Sequence, residues 1–220
     1  MINYVKHPWG PHTIETQIGQ EFADILLEKG NESREKNLDH TKSLAGQMDY
    51  EYYYEDYQEW FCPLFDPFIS SYQTGAMSEG LRLFKKPVIG YEMISLWINY
   101  QQANEYNPPH NHGGDVSFVI YLQVPEEIVK ENKETKHLHN NPGPGMICFD
   151  MCPEMPLSVT RVGKLPQVRD IFIFPAWLPH HVNAFKSDVE RISVSGNLKF
   201  IEIDKTQLPT WLHGRTDLRQ

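Results

Sequence analysis

His110 and His112 stand one residue apart in Asn107-Pro108-Pro109-His110-Asn111-His112-Gly113-Gly114-Asp115. The prolines force an extended approach. On an extended chain residues two apart share a face, so both imidazoles can aim at one point. Neutral imidazole is the commonest transition-metal ligand. A second stretch, Phe172 to Val182, ends an apolar strand at Pro175 and then presents His180 and His181. Arg191 follows and opens Arg191-Ile192-Ser193-Val194-Ser195-Gly196-Asn197, whose alternation puts Arg191, Ser193 and Ser195 on one face. An arginine turned into a β core costs free energy unless an anion neutralises it, and a bidentate carboxylate fits that need. A histidine pair, a distant third histidine and a buried arginine supply three ligands, open metal positions and a carboxylate anchor. That is what a non-haem Fe(II) centre taking a 2-oxo acid and O2 requires.

Positioning such groups is the work of the surrounding elements. From about residue 90 the chain breaks into short runs rich in β-branched and aromatic residues: 91–102, 115–125, 146–151, 156–162, 168–177 and 190–203, with Pro or Gly between most of them. This texture predicts an all-β sandwich or barrel. Upstream, Ile18, Phe22, Ile25 and Leu26 recur at helical spacing, which predicts a helix over 12–30 ended by Gly30. A polar loop is expected over 31–43, a helix laying aromatic rings on the domain over the Tyr-rich stretch 50–61, and another helix over 64–84 that runs into a loop. The charged stretch 126–145, ending Asn-Pro-Gly-Pro-Gly, reads as an irregular surface loop. The expected organisation is a single domain over 1–220, with 1–89 a helical or irregular support and 90–204 the catalytic core.

Trp97 and Asn99, then NPPHNHGGDVSFVIYL, then DIFIFPAWLPHHV, then ERISVSGN together resemble the 2-oxoglutarate/Fe(II)-dependent oxygenases, nearest a branch found in bacteria and tailed phages. The resemblance is strong over about 90–200. It is weak upstream, where Leu44-Ala45-Gly46 carries it. It implies a mainly β fold with flanking helices, the double-stranded β-helix or jelly roll. It also implies His110, His112 and His180 as metal ligands, Fe(II) as the metal and 2-oxoglutarate as cosubstrate. Arg191, with Ser193 beside it, would bind the distal carboxylate, and Tyr121 would be a second contact to it. In most of that superfamily a carboxylate stands where this chain has His112. Asp115 could supply it if Gly113-Gly114 folds the chain back; strand geometry favours His112. Two rival classes fit part of the pattern: a cupin-type metalloprotein, which needs no Arg191 anchor, and a non-enzymatic jelly-roll or virion-associated binding module.

The other histidines are expected to be incidental. His181 should point away from its neighbour. His137 and His139 fall in the charged stretch, and His7, His12, His40 and His213 read as isolated surface residues. The chain carries 20 Lys and Arg against 29 Asp and Glu, a net charge of −9, which argues against a broad nucleic-acid surface. Three cysteines, with Cys148 and Cys152 off the C-x-x-C spacing, predict reduced thiols. No signal peptide or membrane span is visible in the sequence, so a cytoplasmic protein is expected, with a phage-encoded origin in a host cell one reading of the branch. The segment Trp211-Leu212-His213 is assigned either to covering one end of the barrel or to a homodimer contact. The substrate, whether protein, nucleotide or small molecule, is not written in the sequence.

Overall fold

In a computed structural model the described residues are 2–6, 10–78, 88–135, 142–151 and 160–203. In chain order the elements are β1 (Val5–Lys6), β2 (Ile14–Gln17), α1 (Gln20–Glu35), β3 (Glu51–Tyr53), α2 (Tyr57–Ser78), β4 (Val88–Gln101), β5 (Asn107–His110) and β6 (Val116–Gln123). They continue with α3 (Glu126–Thr135), β7 (Ile147–Asp150), β8 (Arg161–Lys164), β9 (Asp170–Pro175), β10 (His180–Val182) and β11 (Arg191–Glu202). Seven strands form one sheet in the order β1-β2-β9-β6-β11-β4-β3, and four form the other in the order β5-β10-β7-β8. Every described pairing is antiparallel. The two sheets make the jelly roll that the family resemblance implied, within the sandwich-or-barrel class that the short strands predicted.

The large sheet is buried on both faces, and the period of two sorts its residues. Val116, Phe118, Ile120 and Leu122 of β6 face one way, with Ile171 and Ile173 of β9, Ile192 and Val194 of β11, and Leu96, Ile98 and Tyr100 of β4. Phe22 and Leu26 of α1 and Phe61, Phe65, Phe68 and Tyr72 of α2 pack on that face. The other face looks into the roll. Val119, Tyr121, Phe172 and Phe174 meet Ile147 and Phe149 of the small sheet there. The polar residues of β4 and β11, namely Trp97, Asn99, Arg191, Ser193 and Ser195, share this inner side.

Four local expectations change. In the Tyr-rich stretch expected as a helix, Glu51–Tyr53 is the strand β3, and α2 begins at Tyr57. Ile14–Gln17 is a strand, because it zips onto the open edge of β9; the helix begins only at Gln20. Gly30 does not end α1. A Cβ there would lie 2.3 Å from Ile98 Cδ1, so this glycine lets the helix settle on the sheet while the helix continues to Glu35. Residues 126–135 of the expected irregular loop form α3, anchored by the buried Ile128. The support region therefore supplies β1, β2 and β3 to the sheet as well as two helices. Cys152, His7, His137, His139 and the segment Trp211 to His213 lie outside the described residues.

Candidate metal centre

His110 ends β5 and His180 opens β10, and the two are direct cross-strand partners. Register alone thus brings together histidines 70 positions apart in sequence. The His112 N–H donates to the Ala176 carbonyl at 2.9 Å, which holds the third ring over the same spot. One ligand atom from each of His110, His112 and His180 lies within 4.8 Å of the others. Among the described residues no other group of three His, Cys, Asp or Glu is so placed. The ring centroids are 4.3 to 5.0 Å apart.

Hydrogen bonds fix which nitrogen faces the cluster. His110 Nδ1 lies 2.7 Å from the Pro108 carbonyl and His180 Nδ1 3.0 Å from that of Leu178. A carbonyl only accepts, so Nδ1 carries the proton in each ring and Nε2 keeps its lone pair for a metal. Burial holds all three imidazoles below their ordinary range: His110 and His180 downward, with His112 pushed down to about 4. Neutral rings are the metal-binding form.

Asp115 stands apart. Gly114 at φ +95° turns the chain flush against β11, where a Cβ would lie 2.7 Å from the Leu198 carbonyl. Asp115 then donates its N–H to that carbonyl, and its Oδ2 accepts from the Phe200 N–H at 2.7 Å. His181 also points away, its Nδ1 2.9 Å from Asp150 Oδ2. His12 is buried rather than at the surface, with Nε2 3.0 Å from the Tyr72 carbonyl. His40 is half-buried, its ring centroid 6.2 Å from that of Trp97.

The triad opens into a pocket whose lining includes Arg191, Ser193, Tyr121 and Asn99. Arg191 is 3% exposed. Its Nη1 donates to the Gly145 carbonyl at 2.8 Å, its guanidinium lies 5.3 Å from the Tyr121 ring centre, and its Nε has no hydrogen-bond partner. No carboxylate pairs with it among the described residues, and burial lowers its pKa. The Tyr121 hydroxyl is likewise buried without a partner. Burial pushes it up to about 12, so it remains a donor. A buried cation with a spare donor beside a second spare donor is a cradle for an anion, and a carboxylate satisfies both. Asn99 braces the neighbouring wall. It accepts from Trp97 Nε1 at 3.0 Å and donates to the Ser193 and Ser195 hydroxyls at 3.4 Å. Sequence reasoning missed Met48 and Asn107, which also line the pocket. Asn107 could have been found from its place before two prolines that lead to His110; Met48 carried no local signal.

Residues 95–197 match the model of a family described as "Putative 2OG-Fe(II) oxygenase". No curated protein matches the chain. Among solved structures, it is similar to a prolyl-4-hydroxylase of Pseudomonas putida, with 12% identity and a TM-score of 0.55 over 87% of this chain and 92% of that one. It is also similar to a prolyl 4-hydroxylase of Phytophthora capsici, with 14% identity and a TM-score of 0.50 over 91% of this chain and 66% of that one. At these identities the likeness speaks to the fold.

Proposed function

We propose a division of labour among six residues of a chain that is, through its match over 95–197, a 2-oxoglutarate/Fe(II)-dependent oxygenase. His110, His112 and His180 hold the iron. Arg191, with Ser193 and Tyr121, holds the distal carboxylate of 2-oxoglutarate. Bound together, iron and 2-oxoglutarate supply the oxidising chemistry: O2 is consumed, 2-oxoglutarate loses CO2 to become succinate, and a substrate C–H becomes C–OH.

The chain's own residues bind, orient and exclude water. Carbonyls of Pro108 and Leu178 lock two imidazoles with Nε2 inward. The Gly145 carbonyl fixes one arm of the Arg191 fork and leaves Nε for the cosubstrate. Phe174 and Val119 give the pocket apolar walls, where a charge-assisted bond to Arg191 is worth more than in water. The observation that carries this reading is the buried, carboxylate-free Arg191 opening onto the same pocket as the histidine triad.

Further support bears on setting. Cys62 and Cys148 are free thiols, which suits a reducing, intracellular compartment. The net charge of −9 supports a substrate other than nucleic acid bound along a broad surface. No helix among the described residues is long and apolar enough to cross a membrane.

Anaerobic addition of Fe(II) and 2-oxoglutarate is expected to give a visible metal-to-ligand charge-transfer band. Arg191→Ala should weaken 2-oxoglutarate on the order of a hundredfold while iron content stays the same. A band of unchanged midpoint in the variant removes Arg191 from the anchor.

A further inference from the structure

Glu51 is 1% exposed, and neither carboxyl oxygen has a hydrogen-bond partner. It lies on β3 directly opposite Asn99 of β4, and Asn99 lies opposite Ser193, which in turn faces Tyr121. Cross-strand partners share a face. One row of side chains therefore runs Glu51, Asn99, Ser193, Tyr121 along the inner side of the sheet, from the edge strand to the cosubstrate cradle. Met48 lines the metal pocket. A Cβ at Gly46 would lie 2.7 Å from the Met48 methyl and 2.8 Å from Glu51 Oε1, so the methyl and the carboxyl flank the same spot. A flexible thioether is thus what the pocket presents beside the carboxyl.

The surroundings specify the missing partner. The charges that act on Glu51 are Glu105 and Asp39, both acidic, and no described cation faces it. Two neighbouring amides are short of partners in the same sense: Gln101 Oε1, two residues from Asn99 on the same face, and Asn107 Oδ1 in the pocket wall are buried acceptors without donors. Burial and the acidic neighbours push the Glu51 carboxyl up to about 8. A site of unmatched acceptors in a negative local field takes a positively charged N–H donor.

We propose that Glu51 is a specificity-determining residue that receives a nitrogen cation of the primary substrate, a protonated amine or a guanidinium, after Met48 swings aside. This rests on the oxygenase reading above and assigns that pocket a basic substrate. The opposite ends of the row then divide the charges: Arg191 takes the anionic cosubstrate and Glu51 the cationic substrate.

The test is equilibrium binding by calorimetry to the anaerobic complex with Fe(II) and 2-oxoglutarate. The probes are Nα-acetyl-lysinamide and Nα-acetyl-argininamide for side chains and butylamine for a free amine. Nα-acetyl-norleucinamide is the neutral comparator. At least one cationic probe is expected to bind about tenfold more tightly than the comparator. Which probe prefers the site separates the polypeptide source from the small-molecule one. Glu51→Gln, nearly isosteric, should abolish the preference with the melting temperature maintained. Gly46→Ala, which puts a methyl on the carboxyl, should reduce it. No preference in the wild type, or a preference that survives Glu51→Gln, overturns the proposal. The charge-transfer band of the wild type keeps the two readings apart. Its absence in iron-loaded protein removes the cosubstrate assignment; its presence without amine preference removes only this one.

Discussion

Two carboxylates near the pocket, Asp115 and Glu51, have opposite fates. Asp115 is consumed by β11: its Oδ2 takes the Phe200 N–H. Asp115→Asn should therefore leave iron stoichiometry, measured by metal analysis, unchanged, while unfolding free energy falls by about 1–2 kcal/mol through the weakened charge-assisted bond. Loss of iron in that variant would return Asp115 to the ligand set. Glu51 is in the contrary position. Its carboxyl titrates at about 8 in the folded chain and near 4.5 when free. Between those values the folded state holds a proton that the unfolded state has released. Stability is thus fully present below the lower value, falls as pH rises through the window and levels off above the upper one. Denaturant unfolding from pH 5 to 9 should show this slope in the wild type and lose it in Glu51→Gln, a difference on the order of a few kcal/mol. The histidine spacing could be read from the sequence, because His-x-His on an extended segment and His180 after a proline turn are local patterns. Glu51 could not, because its burial depends on residues 44–48 folding over it, and nothing in the Tyr-rich stretch encodes that cover.

At the scale of elements, the departures from expectation share one cause: tertiary contact overrides local signal. Gly30 looks like a helix stop, yet α1 runs through it because the missing Cβ admits Ile98. Gly30→Ala improves intrinsic helix propensity by about 1 kcal/mol. Here it should nevertheless lower the melting temperature, since the added methyl meets the ring hydroxyls of Tyr54 and Tyr100 as well as Ile98. A rise in melting temperature would show that α1 can shift outward at little cost. The strands β4, β6, β7, β9 and β11 were legible because β-branched and aromatic runs bounded by Pro and Gly are strong signals, whereas β5 and β10 are short histidine-bearing segments outside those runs. The strand Ile14–Gln17 was not, because its four residues become a strand only when β9 offers an edge.

For the whole molecule, the helices and the sheet have no separate cores. Phe61 of α2 stacks on Phe118 of β6 and Phe65 packs tilted against it, with centroids 5.5 and 4.5 Å away. Phe22 of α1 packs beside Phe61 and Phe68. We propose on this ground that the described residues form one folding unit. Thermal unfolding followed by near- and far-ultraviolet circular dichroism should give coincident single transitions. A fragment spanning 90–204 should not fold alone, because it would expose one whole apolar face of the sheet and lose β2 and β3 from its edges. A soluble, cooperatively melting fragment would contradict this.

The strand order also dictates a calendar for synthesis. β6, in the middle of the large sheet, has both its neighbours, β9 and β11, later in the chain. Until residue 170 has left the ribosome, only the β1–β2 and β3–β4 pairs of that sheet can exist. The third histidine and Arg191 emerge later still, so neither metal nor cosubstrate can template the first half. A nascent chain must carry this apolar strand with both edges open from residue 123 until β9 emerges near residue 170, and the sheet is complete only when the last strand arrives.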